Sequence, residues 1–318
     1  MATDRSSFDT SSRSATLRSF AQEMKAARRA GWGNPWGYAF IAPALVLYLI
    51  FNVWPIIRGF LMAFTDYRFL YPDTRWDFHG LTNFIEMFSD DNFWEALVIS
   101  LRYTITVVPI ALSLALVLAI FIARTNRLSG FYRWIVYLPT ILPIAVTLLM
   151  FKQFYSNKFG FINVNLRDLG WARPPDWLSS VKYALTAVGI ADIWRGIGFP
   201  TILFLVGIYG INSELFEAAS IDGATRWQQL WKITLPMLRP TITLVLVLNS
   251  SILGATEQMM MMTNGGPQNS TLTAGLYLYR LAFQQGDLRL GYASAVSLTL
   301  GLISSLITLF WFRMLREK

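Results

Sequence analysis

The sequence predicts an all-α integral membrane protein with six transmembrane helices and both termini in the cytoplasm. Of its 318 residues, 54% are hydrophobic and only 14% are charged, whereas soluble domains carry about 25% charged residues. Apolar stretches long enough to cross a bilayer, about 20 residues each, recur along the chain. Lys and Arg gather beside alternate ends of these stretches, as in multi-pass membrane proteins. The composition therefore indicates a chain that lies in a lipid bilayer.

Six apolar stretches are predicted to span the membrane as helices. They are Gly37 to Met62, Leu97 to Ala123, Phe131 to Phe154, Tyr183 to Tyr209, Met237 to Met262, and Leu290 to Phe312. The first stretch is too long for the core of a signal peptide, so we expect it to be an uncleaved anchor. Pro and Gly residues interrupt the third and fourth stretches, which predicts bends there.

The positive charges predict how the spans are oriented. Fifteen Lys and Arg residues lie at the termini and in the connections on one side, against eight in the opposite loops. Residues 63–96, on that opposite side, are acidic. The positive-inside rule then places both termini and residues 210–236 in the cytoplasm.

Several classes of function are excluded by composition. The chain has no Cys, which excludes disulfides, zinc–thiolate sites and thiol catalysis. Its single His, His79, lies in a polar stretch and is expected to be a surface residue, because a metal site needs a cluster of ligands. The net charge of +8 is spread in short clusters beside apolar runs, so we expect no binding to nucleic acid.

Two regions are predicted along the chain. Residues 1–36 form a basic cytoplasmic segment that has little to bury, and is either mobile or a weak amphipathic helix on the inner leaflet. Residues 37–318 form the membrane domain, with a first helix at 37–62, a five-helix core at 97–312 and a cytoplasmic loop at 213–236.

Residues 213–236, termed the loop segment below, are neither apolar enough to span a membrane nor typical of a linker. Ser213 is predicted to cap a short helix, and Asp222 and Gly223 supply the residues of a turn. A second helix, with an apolar face that begins at Trp227, then leads into the fifth span. From composition alone, an interfacial helix on the bilayer surface is an equally good interpretation.

The loop segment resembles the EAA loop of ATP-binding-cassette importer permeases. The family pattern is Glu-Ala-Ala, two residues, Asp-Gly-Ala, and later Ile-x-Leu-Pro, and it is matched by Glu217, Ala218, Ala219, Asp222, Gly223, Ala224, Ile233, Leu235 and Pro236. Leu230 stands where the family often has Phe. Other stretches are similar to the sugar-permease branch that includes maltose-transporter and glycerol-3-phosphate-transporter subunits: GLTNF at 80–84, YLPTILPIAV at 137–146 and TNGGPQNST at 263–271.

This resemblance implies the type I ABC importer permease fold and a mechanism. The loop would form a coupling helix that docks in a groove of a cytoplasmic ATPase, and closure of the ATPase would tilt the permease from inward-facing to outward-facing. The coupling residues would be Glu217, Ala218, Ala219, Asp222, Gly223 and Ala224. The implied partners are a second homologous permease, two copies of the ATPase and an extracytoplasmic solute-binding protein, in the bacterial plasma (inner) membrane.

The chain is expected to be a transport subunit and not an enzyme. It contains no Gly-Lys dipeptide, and therefore no phosphate-binding loop of its own. We expect it to bind no cofactor, and ATP-Mg to be used by the partner ATPase.

Ionisable side chains within apolar spans are candidates for a functional site, because burying them in lipid is costly. Asp192 and Arg195 lie three residues apart in the fourth span, so they share a helix face and can pair with each other. The hypothesis is that a set of polar and aromatic residues lines a pathway where hydroxylated solutes exchange water for protein hydrogen bonds. The set is Asp192, Trp194, Arg195, Asn249, Glu257 and Gln258.

The leading interpretation is the membrane-spanning subunit of an ATP-driven importer, which translocates a carbohydrate or polyol by alternating access. A secondary transporter driven by an ion gradient would use the intramembrane carboxylates but leaves the loop segment unexplained. A membrane scaffold would use the loop but leaves the polar side chains without a role. The sequence leaves open which sugar or polyol is carried.

Overall fold

The computed structural model describes residues 35–71, 76–125, 128–249, 255–284, 286 and 288–315. Most of the predicted N-terminal segment, residues 1–34, lies outside them. The described residues are helical, apart from turns, loops and one isolated antiparallel bridge between Thr65 and Phe78. This agrees with the predicted all-α fold.

The helices vary from one turn to 33 residues in length. In chain order they are α1 (Pro35–Tyr48), α2 (Trp54–Met62), α3 (Thr82–Phe88), α4 (Asp91–Ala123), α5 (Ser129–Ile141), α6 (Ile144–Phe154), α7 (Phe161–Asp168), α8 (Ala184–Gly196), α9 (Gly198–Tyr209), α10 (Ser213–Ile221), α11 (Arg226–Gln229), α12 (Leu235–Met237), α13 (Arg239–Asn249), α14 (Thr256–Met262), α15 (Ala274–Phe283) and α16 (Leu290–Leu315). Two π-helical turns, Leu49–Val53 and Leu230–Thr234, connect α1 to α2 and α11 to α12.

The chain divides into two compact units, Met1–Gly59 and Phe60–Lys318. In the first unit, the helical turns from Tyr38 onward are apolar, and nearly all their side chains are exposed. The second unit contains the buried core. There α4 packs along α8 and α9, and α16 packs against α3, α13 and α15.

Among the described residues, three helices are candidate spans by length and composition, and the number rises to six if each bent pair of helices counts as one. Three helices are long and apolar enough alone: Tyr38–Met62, Asp91–Ala123 and Leu290–Met314. Three more arise from pairs bent at a short break: α5 with α6 by 92°, α8 with α9 by 46°, and the stretch Arg226–Met237 with α13 by 62°.

Proline explains the sharpest of these bends. Leu142 and Pro143, between α5 and α6, both have extended backbone with ψ of 139° and 131°. A residue before proline is disfavoured in the helical region, and proline has no N–H to donate. The prediction of bends in the third and fourth spans is therefore confirmed, although Pro139 lies within α5 without ending it.

The predicted fifth span, Met237 to Met262, is wrong as a single helix. Helix α13 ends at Asn249, and α14 begins at Thr256, after Ala255. Ala255 has φ of 62°, in the left-handed region, where a right-handed helix cannot continue through a residue with a side chain. The bent pair that passes by length and composition covers residues 226–249 instead, but its first half, up to residue 236, belongs to the loop segment, so only α13 is left as the membrane part of this pair.

A polar cluster ties together the ends of four helices on the side away from the loop segment. Asp90 caps α4 by accepting a hydrogen bond of 2.9 Å from the backbone N–H of Asn92. Its carboxylate also accepts hydrogen bonds from the hydroxyls of Tyr277 in α15 and Tyr292 in α16. Nearby, Arg289 makes a two-pronged ion pair with Glu86 in α3, at 2.6 Å for both contacts.

The stability contributed by Asp90 is expected to depend on pH. Burial raises the pKa of the Asp90 carboxyl, but the hydrogen bonds from Tyr277, Tyr292 and Asn92 outweigh burial and hold that pKa below its ordinary value of 3.8. A lowered folded-state pKa means that the stabilisation is complete above the ordinary value and is lost as pH falls through the folded pKa.

Thermal unfolding of the purified protein in detergent checks this expectation. Asp90→Asn should lower the midpoint at pH 7, because the amide keeps the shape and loses the charge-assisted hydrogen bonds. The difference between wild type and variant should shrink as pH falls below about 4 and through the lowered folded pKa of Asp90, where the wild-type carboxyl becomes protonated. A difference that stays constant down to the lowest pH would contradict the assignment.

Candidate functional site

A polar cavity of about 230 Å³ lies in the interior of the second unit. It is enclosed by α4, α8, α9, α13 and the start of α14. Most of its lining is aliphatic, but six polar side chains and the backbone of Gly196 also reach it. These are Tyr103, Thr104, Asp192, Arg195, Asn249 and Gln258, of which Thr104 is the smallest.

Asp192 is the centre of the polar contacts in this cavity. Its carboxylate accepts a hydrogen bond of 2.9 Å from the Tyr103 hydroxyl and one of 2.7 Å from the Gln258 amide. The Arg195 guanidinium lies 3.6 Å from the same carboxylate. Because the donors come from α4, α8 and α14, one carboxylate joins three helices.

Arg195 has donors left over after this pairing. Its Nε is buried and has no hydrogen-bond partner among the described residues. The backbone carbonyl of Arg195 accepts a hydrogen bond of 2.9 Å from Thr140 in α5, which fixes the backbone of the residue. The guanidinium is therefore a positively charged group fixed at the cavity wall, with N–H donors that are not used by other protein groups.

The structure brings four of the six predicted pathway residues together. Asp192, Arg195, Asn249 and Gln258 line the cavity, and the predicted pairing of Asp192 with Arg195 is present. Trp194 does not line it and packs against Phe151, with 5.4 Å between ring centroids. Glu257 is exposed and also does not line the cavity.

Sequence reasoning missed Tyr103 and Arg102. Both lie in α4, within the stretch predicted as the second span. Arg102 could have been found by the same test that selected Asp192, since it is ionisable and lies within that stretch. Tyr103 gave no such signal, because tyrosines are common at membrane interfaces and only the fold places its hydroxyl on Asp192.

The loop segment forms the predicted helix, turn and second helix. Helix α10 begins after Asn212, whose side chain accepts a hydrogen bond of 3.0 Å from the N–H of Glu214. The cap is therefore Asn212 and not Ser213 as predicted. Both residue types are good caps, and the extended backbone at Asn212, with ψ of 125°, decides between them.

The turn in the loop segment needs a glycine. Gly223 has φ of 78°, which glycine adopts without the strain that a side chain causes. Thr225 then begins α11 with a capping box, in which its hydroxyl and the side chain of Gln228 each satisfy a backbone N–H. Gln229 joins the two helices by donating to the Ser220 hydroxyl at 2.9 Å.

The surface of the loop segment is exposed and partly apolar. Glu217, Ala218, Asp222 and Gly223 are exposed, and Ala219 and Ala224 are half-buried. Four large apolar side chains are also exposed: Ile221 at 87%, Trp227 at 66%, Trp231 at 57% and Leu215 at 44%. Exposed apolar groups of this size beside small residues are typical of an interaction surface.

Comparison with known proteins identifies the family. The family model described as "Binding-protein-dependent transport system inner membrane component" matches residues 111–316. This chain belongs to that family. The match includes the cavity residues of α8, α13 and α14 as well as the loop segment.

Curated relatives of this inner membrane component are permeases. It is 35% identical over 92% of its length to the probable ABC transporter permease protein YesP of Bacillus subtilis, of which the alignment covers 94%. It is 30% identical to the lactose transport system permease protein LacF of Rhizobium radiobacter, with 89% of this chain and 94% of LacF covered. The diacetylchitobiose uptake system permease protein NgcF of Streptomyces coelicolor is 34% identical, with 84% and 78% covered.

Solved structures agree with this assignment. A chain of a bacterial ABC transporter involved in the import of the acidic polysaccharide alginate matches with a TM-score of 0.77 and 26% identity, over 93% of this chain and 98% of that one. The resemblance to ABC importer permeases is thereby confirmed, as is the fold. Since its relatives are membrane transport components, the protein is a transport subunit and not an enzyme.

Proposed function

We propose that this inner membrane component is the substrate-translocating subunit of an ATP-driven importer for saccharides. Relatives are described as permeases for lactose and diacetylchitobiose, and a structural neighbour belongs to an importer of alginate. Neutral and acidic sugars both occur among these, so the relatives support the class of saccharides as a whole. The proposed class of substrates also includes polyols, because they too present many hydroxyls.

The observation that carries the proposal is the exposed surface of the loop segment. Glu217 offers a carboxylate, Ala218 permits close approach, and Gly223 allows the turn that separates α10 from α11. The segment leads directly into the membrane core, because α11 continues through a π-helical turn and α12 to α13. Phe216, Gln229 and Ala123 also line one cleft between the loop helices and the end of α4. A force on this surface would therefore reach the spans.

The proposed assembly contains four kinds of subunit or partner. Two copies of a cytoplasmic ATPase hydrolyse ATP-Mg, and one of them receives the loop segment of this chain. A second, homologous permease completes the pathway, and an extracytoplasmic solute-binding protein delivers the saccharide. In this arrangement both termini and the loop segment lie in the cytoplasm.

Within this proposal, the cavity around Asp192 is part of the pathway that alternates between the two sides of the membrane. A saccharide hydroxyl can accept from the spare donors of Arg195, and Asn249 offers both a donor and an acceptor. Asp192 itself already has Tyr103, Gln258 and Arg195 as partners. We therefore propose that Asp192 positions the donor groups of these three residues and does not itself bind the saccharide.

ATP dependence is the experiment that tests the proposal. The complete transporter, purified with its partner permease, ATPase and binding protein, is reconstituted in vesicles, and uptake of labelled saccharides is followed. We expect uptake that requires ATP on the ATPase side and that continues when ionophores collapse the proton and sodium gradients. Uptake that is abolished by ionophores and independent of ATP would instead show a secondary transporter.

A further inference from the structure

A second cavity, termed the distal groove, lies between α4 and α8 on a different face from the cavity around Asp192. It has a volume of about 400 Å³. Its charged lining residues are Glu95, Arg102 and Lys182, and its other polar residues include Gln268 and Ser270 from the loop after α14. No role for this groove follows from the proposed function alone.

The two cations of the distal groove have no anionic partner. Among the described residues, the side chains of Arg102 and Lys182 make no hydrogen bond and no ion pair, and both are exposed. The Lys182 ammonium lies 5.3 Å from the ring centre of Tyr183. With Glu95 as the single acidic side chain, the groove carries an excess of one positive charge.

The length of α4 places Arg102 at the membrane boundary. Helix α4 ends at Ala123, which lies beside the loop segment in the cleft shared with Phe216. From Ala123 back to Arg102 the helix rises about 31 Å at 1.5 Å per residue, which equals the thickness of the hydrocarbon core, about 30 Å. The distal groove therefore lies at the end of the span opposite the loop segment.

A loop that is closed by a hydrogen bond between two of its own side chains forms part of the wall of the distal groove. The loop from Thr263 to Thr273 is closed by a 2.7 Å hydrogen bond between the hydroxyls of Thr263 and Thr271. Its Ser270 hydroxyl is buried and has no hydrogen-bond partner among the described residues. A hydroxyl in this state beside two unpaired cations is suited to a ligand that brings acceptor oxygens.

The distal groove and the cavity around Asp192 are neighbours and share part of their lining. Val107 of α4 and Ile193 of α8 line both. Arg102 and Lys182 therefore line one cavity, and Arg195 lines the cavity next to it. Three cations in two neighbouring cavities favour an anionic solute over a neutral one.

We propose that the distal groove is a binding site for the carboxylate of an anionic saccharide, such as a uronate, on its way to the inner cavity. Arg102 supplies a planar pair of donors that matches a carboxylate, Lys182 adds a second positive charge, and Ser270 donates to a neighbouring oxygen. This deepens the proposed function by naming the substrate class, and it rests on that function.

The experiment uses matched saccharides with the reconstituted transporter. The probes are short oligosaccharides of galacturonate, mannuronate and glucuronate, each in its free form and as its neutral methyl ester. We expect uptake of at least one anionic form in preference to its ester. An Arg102→Gln, Lys182→Gln double variant should raise the KM for that substrate about tenfold or more, since each lost charge-assisted hydrogen bond weakens binding several-fold, while kcat changes less than about twofold.

Two further variants test whether the effect on KM comes from the groove itself or from the change in the overall charge of the protein. Lys158→Gln with Arg173→Gln removes the same charge from exposed positions outside the groove, and it should leave KM unchanged. Glu95→Gln should lower KM, because it removes a repulsive charge. Equal effects of the two double variants, or preferred uptake of the neutral esters, would overturn the proposal.

The lipid composition distinguishes a substrate from a phospholipid headgroup. The KM effect of the Arg102 and Lys182 double variant should be the same in vesicles of phosphatidylcholine alone and in vesicles that also contain phosphatidylglycerol. An effect confined to the vesicles with the anionic lipid would assign the groove to a headgroup and overturn the proposal. Failure to take up any saccharide, by a transporter that still assembles, would instead contradict the proposed function itself.

Discussion

A Glu217→Lys, Gly223→Asp double variant is expected to abolish both association with the ATPase and ATP-driven uptake. Both positions are exposed on the loop segment. Lysine at 217 repels donors that a partner presents to a carboxylate, and aspartate at 223 puts a side chain at the turn, where φ is 78°. Like-charge contacts across an interface cost several kcal/mol, so association should fall beyond detection in co-purification.

The variant should still fold, which makes the result interpretable. A side chain built at Gly223 meets no other atom within 4 Å, so the cost there is backbone strain, about 1–2 kcal/mol for a left-handed residue. The Asn212 cap and the Gln229 to Ser220 hydrogen bond are untouched. The unfolding midpoint should therefore remain near that of the wild type.

Asp168→Lys is the matched control for the change of charge. Asp168 is exposed at the end of α7, outside the loop segment. The substitution makes the same reversal of charge as Glu217→Lys, and a larger net change than the double variant, in which Gly223→Asp adds one negative charge. We expect normal association and normal uptake. If the loop variant also associates and transports normally, then the loop segment is an interfacial helix and the coupling role is wrong.

The loop segment was well predicted because its structure is decided locally. Helix caps and turns depend on residues within a few positions of each other. Examples are the capping box of Thr225 and Gln228 and the turn at Gly223, where φ is positive. The spans were predictable for a related reason, since the bilayer requires long apolar helices whatever they pack against. The one misplaced cap, at Asn212, lies next to the residue that was chosen.

The cavity was only partly predictable because it depends on contacts between distant parts of the chain. Tyr103 and Asp192 are 89 residues apart, and Gln258 and Asp192 are 66 apart. The sequence shows that Asp192, Glu257 and Gln258 are polar within apolar surroundings. It does not show that the left-handed residue Ala255 ends the expected span and restarts the helix with Gln258 inward and Glu257 outward.

Removing the Asp192 carboxylate is expected to impair transport without impairing association with the ATPase. In Asp192→Ala, the Tyr103 hydroxyl and the Gln258 amide lose their acceptor, and Arg195 loses its counter-ion. Leaving a buried donor unsatisfied costs about 1–3 kcal/mol, which corresponds to roughly a 5- to 150-fold change in an equilibrium. We therefore expect uptake to fall by at least about tenfold.

Glu257 provides the control for Asp192, since sequence reasoning placed both carboxylates on the pathway. Glu257 is exposed and does not line the cavity, so Glu257→Gln should keep uptake within about twofold of the wild type. Arg195→Ala should behave like Asp192→Ala, because the two residues share one contact. If Glu257→Gln reduces uptake while Asp192→Ala and Arg195→Ala transport normally, the pathway follows a different face of the helices.

The two sets of variants also divide the mechanism into separable steps. The loop variant should lose association with the ATPase while its cavity remains intact, and Asp192→Ala should keep that association while uptake fails. ATP hydrolysis that continues in Asp192→Ala without matching uptake would show that the carboxylate acts after docking, by holding α4, α8 and α14 in register. Loss of association in Asp192→Ala would instead show that its effect passes through the fold as a whole.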